Sequence, residues 1–181
     1  MIWIILLFAL PLGIVLLPFL LGMISPAQYT ATVTGVIDAS PEDVFRHIEN
    51  VQDNPGAGAM ARSVDLLPEQ EWEDGRRTWI EDIGSTRIRV ETVESVEPTR
   101  IVRDLQDQVV PMRARWTIDL APMGDGTHVT ATNVTTISKG TWHVPLFRFL
   151  MRFMNGARRG VVHYLTRLGK SLGSEFRVTG E

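Results

Sequence analysis

The twelve residues IDASPEDVFRHI, Ile37–Ile48, hold a strand end, a helix start and an apolar helix face in one run. Ser40 has the chemistry of an N-cap, and Pro41 follows at a first helical position that needs no N–H donor. Asp43 stands three residues after the cap, where a capping box places its acidic partner. Val44, Phe45 and Ile48 then share one side of the helix. Just upstream, QYTATVTGVI, Gln28–Ile37, is dense in β-branched residues and reads as a strand. DNPGAGA, Asp53–Ala59, ends the helix. A strand therefore runs straight into a short, firmly capped helix.

Six further strands are expected downstream, at Arg62–Glu71, Arg76–Ile83, Thr86–Val96, Arg100–Asp107, Met112–Ala121 and Thr127–Ile137. Turn chemistry separates them: Asp74-Gly75, Gly84-Ser85, Pro98-Thr99, Pro111 and Gly124-Asp125-Gly126. Connectors this short imply an antiparallel meander. Met112, Ala114, Trp116, Ile118 and Leu120 share one face, opposite Arg113, Arg115, Thr117 and Asp119. Ile88 and Val90 likewise oppose Arg87, Arg89 and Glu91, so these strands have one buried and one wet face.

A long helix is expected from Val144 to Leu172. Leu146, Phe149, Leu150, Phe153, Ala157, Val161, Tyr164, Leu168 and Leu172 recur at helical spacing. Arg148, Arg152, Arg159, His163, Arg167 and Lys170 fall on the other side. Gly156 and Gly160 mark a close approach to the sheet or a bend.

At the other end, Ile2–Ile24 carries no charge. At ~1.5 Å per residue such a helix is roughly 34 Å long, enough to cross a ~30 Å hydrocarbon core. Pro11, Gly13, Pro18 and Gly22 are tolerated in lipid. No Lys or Arg precedes the run, and it is longer than a signal-peptide core, so an uncleaved single-pass anchor is favoured over a cleaved leader. The chain divides into the anchor Ile2–Ile24, a linker over 25–28, a domain from Tyr29 to Gly173 and a tail over 174–181. The positive-inside rule has almost nothing to count here, and the domain is expected on the cytoplasmic side.

Composition excludes several chemistries. There is no cysteine, hence no disulfide or thiolate-bound metal. Four histidines are scattered without ligand spacing, and no metal or cofactor is expected. No G-x-S-x-G, H-E-x-x-H, P-loop or G-x-G-x-x-G occurs. Glu81 and Asp82 are acid–base candidates without a visible partner. The net charge is −3, yet Val144–Leu172 holds six basic residues and no acid, which leaves −9 elsewhere. Arg148, Arg152, Arg159, Arg167 and Lys170 are expected to meet anionic headgroups, with a solvated, acid-paired face as the alternative. Nucleic acid is not expected, because exposed aromatics do not interleave with the charges and the chain is acidic overall.

The order of these elements resembles the helix-grip fold of the START/polyketide cyclase–dehydrase (SRPBCC) superfamily. The residues that carry the likeness are VTGVIDASPEDVFRHI (Val33–Ile48), GDGTHVTATNV (Gly124–Val134) and the amphipathic helix running to YLTRLGKSLG (Tyr164–Gly173). The resemblance implies an α+β helix-grip fold, a seven-stranded antiparallel sheet wrapped around a long C-terminal helix, here preceded by one N-terminal transmembrane helix. It also implies a cavity between sheet and helix. Trp116 is on the apolar face of its strand, while Trp79 has ambiguous parity because Thr78 and Ile80 compete for the inward side. Phe153, Ala157 and Tyr164 would face the sheet, and Asn133 shares parity with Val129 and Ala131. For each of these, ligand contact stands beside plain core packing or a locally satisfied polar group. Arg103, in phase with Ile101 and Leu105, is expected to snorkel to solvent. In DNPGAGAM, Asp53–Met60, the aromatic residue that family members often carry after the first helix is missing, which implies a wider portal.

The expected function is membrane-anchored binding or transfer of a hydrophobic small molecule or lipid. A quinone is one candidate, since coenzyme Q-binding proteins share the superfamily. The alternatives are a polyketide cyclase/dehydrase-like enzyme and a non-catalytic subunit docked on a membrane-protein partner, and the balance leans against catalysis.

Overall fold

Strand and helix meet where Ile37–Ile48 places them. The computed structural model describes residues 13–14, 16–53, 55–56, 61–138 and 140–179. Strand β1 spans Gln28–Ile37 and helix α2 spans Pro41–Glu49. At its cap the Ser40 hydroxyl accepts the Asp43 N–H at 3.2 Å and donates to Asp43 Oδ2 at 2.8 Å. Val44, Phe45 and Ile48 are buried, as their spacing requires.

Residues 16–24 form a helix, α1, that precedes β1. Much of the apolar run Ile2–Ile24 lies outside the described residues, as does most of Asn54–Met60. Among the described residues no helix is long and apolar enough to cross a membrane.

The meander consists of β2 (Ser63–Leu66), β3 (Thr78–Asp82), β4 (Arg87–Val96), β5 (Arg100–Asp107), β6 (Met112–Met123) and β7 (Gly126–Ile137). A last strand, β8 (Arg177–Val178), completes one sheet in the order β2-β3-β4-β5-β6-β7-β1-β8. Its pairings are antiparallel, and β1 pairs with β7 over its whole length. A register shift between Thr92 and Glu94 interrupts the β4–β5 ladder, the kind of irregularity that bends a strand.

Three expectations need correction. The sheet has eight strands rather than seven, because two residues of the stretch read as a tail pair with Gly35 and Val36. A two-residue strand has no periodicity to detect. The C-terminal helix is two helices, α3 (Val144–Phe153) and α4 (Gly156–Ser171). They break at Asn155, which sits in the left-handed region at φ 52°, a conformation its short polar side chain tolerates. Apolar spacing runs through the break without a fault, which is why periodicity alone joins the two. The strand expected over Arg62–Glu71 is also shorter, since Pro68 is followed by a 3-10 turn over Glu69–Glu71.

The main core lies between the sheet and α4. Val161, Tyr164, Leu165 and Leu168 pack on Val33, Ile37, Val129 and Ala131, with α2 closing one end through Val44, Phe45 and Ile48. Phe176 lies against this core. It fits only because Gly35 has no side chain: a Cβ there would overlap the Phe176 ring. Gly35→Val is therefore expected to lower the unfolding free energy by about 1–3 kcal/mol, the cost of forced overpacking. Urea unfolding measures it, and an unchanged midpoint would show that the C-terminal segment does not depend on this contact.

Candidate functional site

Inward positions on successive strands fall into rows across the sheet. Register places Arg103 of β5 opposite Trp116 of β6, and Trp116 opposite Asn133 of β7. Tyr164 of α4 covers this row, its ring edge-on to Trp116 with centroids 5.3 Å apart, a geometry that suits the aromatic quadrupoles. From β3 come Trp79 and Glu81, two residues apart and so on the same face, both fully buried.

These groups form a buried polar cluster inside an apolar shell. Arg103 is 5% exposed. Its Cζ lies 5.0 Å from the centroid of the Trp79 ring, within cation–π range. Its terminal nitrogen Nη2 donates to the Ile48 carbonyl at 2.6 Å, and the guanidinium lies near the Tyr164 hydroxyl. Glu81 Oε1 accepts from Trp79 Nε1 at 2.9 Å and from the Gly56 N–H at 2.8 Å. Arg103 Nε has no hydrogen-bond partner among the described residues.

Beside this cluster is a cavity of about 20 Å³, lined by Trp79, Val90, Ile101, Arg103, Trp116 and Tyr164 among others. That volume suits roughly one water molecule. A larger, open hollow of about 680 Å³ lies elsewhere, lined mostly by polar and charged residues such as Arg89, Glu91, Asp104 and Arg113. Its Arg115 and Asp104 are paired with each other. The small cavity is the better candidate, because its walls are apolar and the side chains of Arg103 and Tyr164 are part of them.

The expected residues separate into groups. Trp116 and Tyr164 line the cavity. Trp79 does too, and its ambiguous parity resolves inward. Asn133 is inward and buried, next to Trp116 in register, but its Oδ1 accepts from Thr135 Oγ1 at 2.9 Å and it does not contribute to the lining. Ala157 packs in a second apolar cluster with Tyr29, Ala31, Ile137 and Val144. Phe153 is 54% exposed and cannot reach the cavity; the break at Asn155 gives α3 an inward face different from the one that continuous periodicity assigns.

The basic residues divide as well. Arg152, Arg159 and Lys170 are exposed and Arg167 is half-buried. Arg148 is not on the outer face: it is 7% exposed and donates Nε and Nη2 to the Ile137 carbonyl at 3.2 and 2.7 Å. Arg103 does not snorkel, because Ile48, Tyr164 and Trp79 supply partners inside. Its phase with Ile101 and Leu105 was the signal of burial. Nothing in the sequence pointed to Glu81 as its companion in the interior.

No family model matches the chain, and no curated protein does. Solved structures do. Zhui aromatase/cyclase from Streptomyces sp. R1128 matches with a TM-score of 0.63 at 11% identity, over 81% of this chain and 94% of that one. A protein from Thermus thermophilus matches with a TM-score of 0.57 at 19% identity, over 78% and 95%. Ara h 8.0201 matches with a TM-score of 0.53 at 9% identity, over 81% and 99%. At these identities the likeness is one of fold: a large antiparallel sheet gripping a C-terminal helix.

The chain has two tyrosines, and burial raises the pKa of both. For Tyr164 the nearby Arg103 opposes that rise, and for Tyr29 Arg148 does. A raised folded-state pKa means that the folded chain holds its phenolic protons longer. This contribution to stability is complete below the ordinary tyrosine value of about 10 and is lost as pH rises through the raised values. Near pH 10 the folded protein should therefore show less phenolate absorbance than the same protein in urea. Equal absorbance would mean that neither ring is sealed from water.

Proposed function

We propose that this domain binds an apolar, ring-bearing small molecule carrying one oxygen acceptor, such as a carbonyl, phenolate or carboxylate. The observation that carries the reading is Arg103, a nearly fully buried guanidinium on the wall of an apolar cavity with its Nε–H unpartnered among the described residues. A buried cation costs stability unless it is fully satisfied. Arg103 and the Tyr164 hydroxyl would hold the oxygen, while Val90, Ile101, Ile118 and Trp116 cover the ring. Binding pockets for such ligands measure about 300–1,000 Å³, so the contact between Trp116 and Tyr164 must part when the ligand enters. Trp116, only half-buried, is the side chain free to yield. Similarity to the aromatase/cyclase fold agrees with this reading without selecting the ligand. A lipid or quinone is the finer form of the same proposal.

The reading includes attachment to a membrane. Ile2–Ile24 has the length and the lack of charge of a single-pass anchor, which would keep the cavity at the surface from which an apolar ligand is drawn.

Native mass spectrometry after mild detergent extraction tests the ligand. A co-purifying apolar molecule is expected, and its retention should fall about tenfold or more in Arg103→Met, in line with the ~1.5–3 kcal/mol of a hydrogen bond to a charged group. Arg103→Lys, which keeps the charge without Nε, should retain less than the unaltered chain. A stoichiometric protein partner without any small molecule would favour a docking subunit. Equal retention in the folded variants would remove Arg103 from the site.

A further inference from the structure

Helix α3 is apolar on both sides: Val144, Phe147 and Met151 turn inward, while leucine and phenylalanine turn outward. Its inward face buries Arg148, satisfied by the Ile137 carbonyl, and Tyr29 in turn donates to the Arg148 carbonyl at 3.0 Å. Its outward side carries Leu146, Leu150 and Phe153, exposed by 43, 36 and 54%, with Trp142 just ahead at 80%. A helix facing water carries polar residues on its outer side.

This surface is continuous with another. Helix α1 ends against the start of α3 so closely that a Cβ at Gly22 would overlap the Pro145 carbonyl. On α1, Leu17, Leu20, Met23 and Ile24 are 56–82% exposed. Contiguous apolar area of this kind is not left in water. Its surroundings also select the occupant. Val144–Leu172 contains six basic residues and no acid, and on α3 itself the exposed Arg152 adjoins the apolar face. An apolar stripe edged by arginine, with a tryptophan at its start, has the chemistry of a helix lying in the headgroup layer of an anionic bilayer.

We propose that α3 is a second membrane contact: it lies in the plane of the bilayer with Leu146, Leu150 and Phe153 at the headgroup–acyl boundary. This rests on the reading of Ile2–Ile24 as an anchor and adds what that reading lacks, a fixed posture of the domain. With α1 leaving the bilayer at Gly22 and α3 held flat from Val144, the domain is fixed at two points and cannot swing freely on its tether.

The absence of cysteine makes the test direct, since each introduced cysteine is the sole labelling site. Full-length chains carrying Leu150→Cys, Phe153→Cys, Leu7→Cys or Arg113→Cys are spin-labelled and reconstituted in vesicles of phosphatidylethanolamine and phosphatidylglycerol in equal parts. Accessibility to oxygen and to a water-soluble nickel complex is then read by power saturation. The oxygen-to-nickel ratio at Leu150 and Phe153 should exceed that at Arg113, an exposed position on the sheet, by several-fold. Ratios equal to that of Arg113 would overturn the inference, as would labels shielded from both reagents, which would place a protein surface on α3. Leu7 reports on the anchor separately. With Leu7 in hydrocarbon and the α3 labels in water, only this inference fails; with all of them in water, the anchor fails too.

Discussion

From Gln28 opposite Thr136 to Ile37 opposite Thr127, β1 and β7 pair residue for residue, and the rest of the architecture depends on that ladder. It joins the first strand of the domain to the last strand of the meander, which no local turn can do. Once β1 is there, α2 must fold back from its end across the open mouth, and α4 finds a groove already lined by Val33, Ile37, Val129 and Ala131. Tyr29, at the other end of the ladder, ties α3 through its carbonyl. The segment following α4 then returns to β1, where Gly35 leaves room for Phe176.

Within this frame, Glu81 and Arg103 each satisfy a backbone group of a distant segment, the Gly56 N–H and the Ile48 carbonyl. Charged side chains are a costly way to do so, because each must be taken out of water. Their surroundings are nonetheless built in detail: an indole under the guanidinium, two N–H donors on one carboxylate oxygen, a phenol across from both. Such arrangement around an apolar hollow suits the capture of an oxygen on an otherwise greasy molecule. On the proposed reading it would supply orientation, while burial of apolar area at about 25 cal/mol per Å² would supply the driving force.

The two C-terminal helices divide what was expected of one. α4 has the ordinary pattern, apolar inward and basic outward. α3 buries Arg148 among Val144, Phe147 and Met151 and exposes leucine and phenylalanine, the face proposed to meet the bilayer. A left-handed Asn155 lets two consecutive helices with uninterrupted apolar spacing present that spacing to different neighbours.

The sequence by itself determined the elements whose causes are local. Ser40, Pro41 and Asp43 set the start of α2, and period-two alternation set the inward faces of β6 and β7, including Trp116 and Asn133. These follow from backbone sterics and from hydrogen bonds spanning three or four residues. Tertiary structure decided the rest, because it depends on what lies opposite. Trp79 and Glu81 turned inward and Arg103 remained buried because Ile48, Tyr164 and Gly56, distant in sequence, supply partners there. Arg148 stayed inside because a carbonyl at the end of β7 needed a donor. Phe153 left the site because one residue changed the direction of the helix, and periodicity, which counts residues along a chain, carries no information about where an axis turns or what it turns toward.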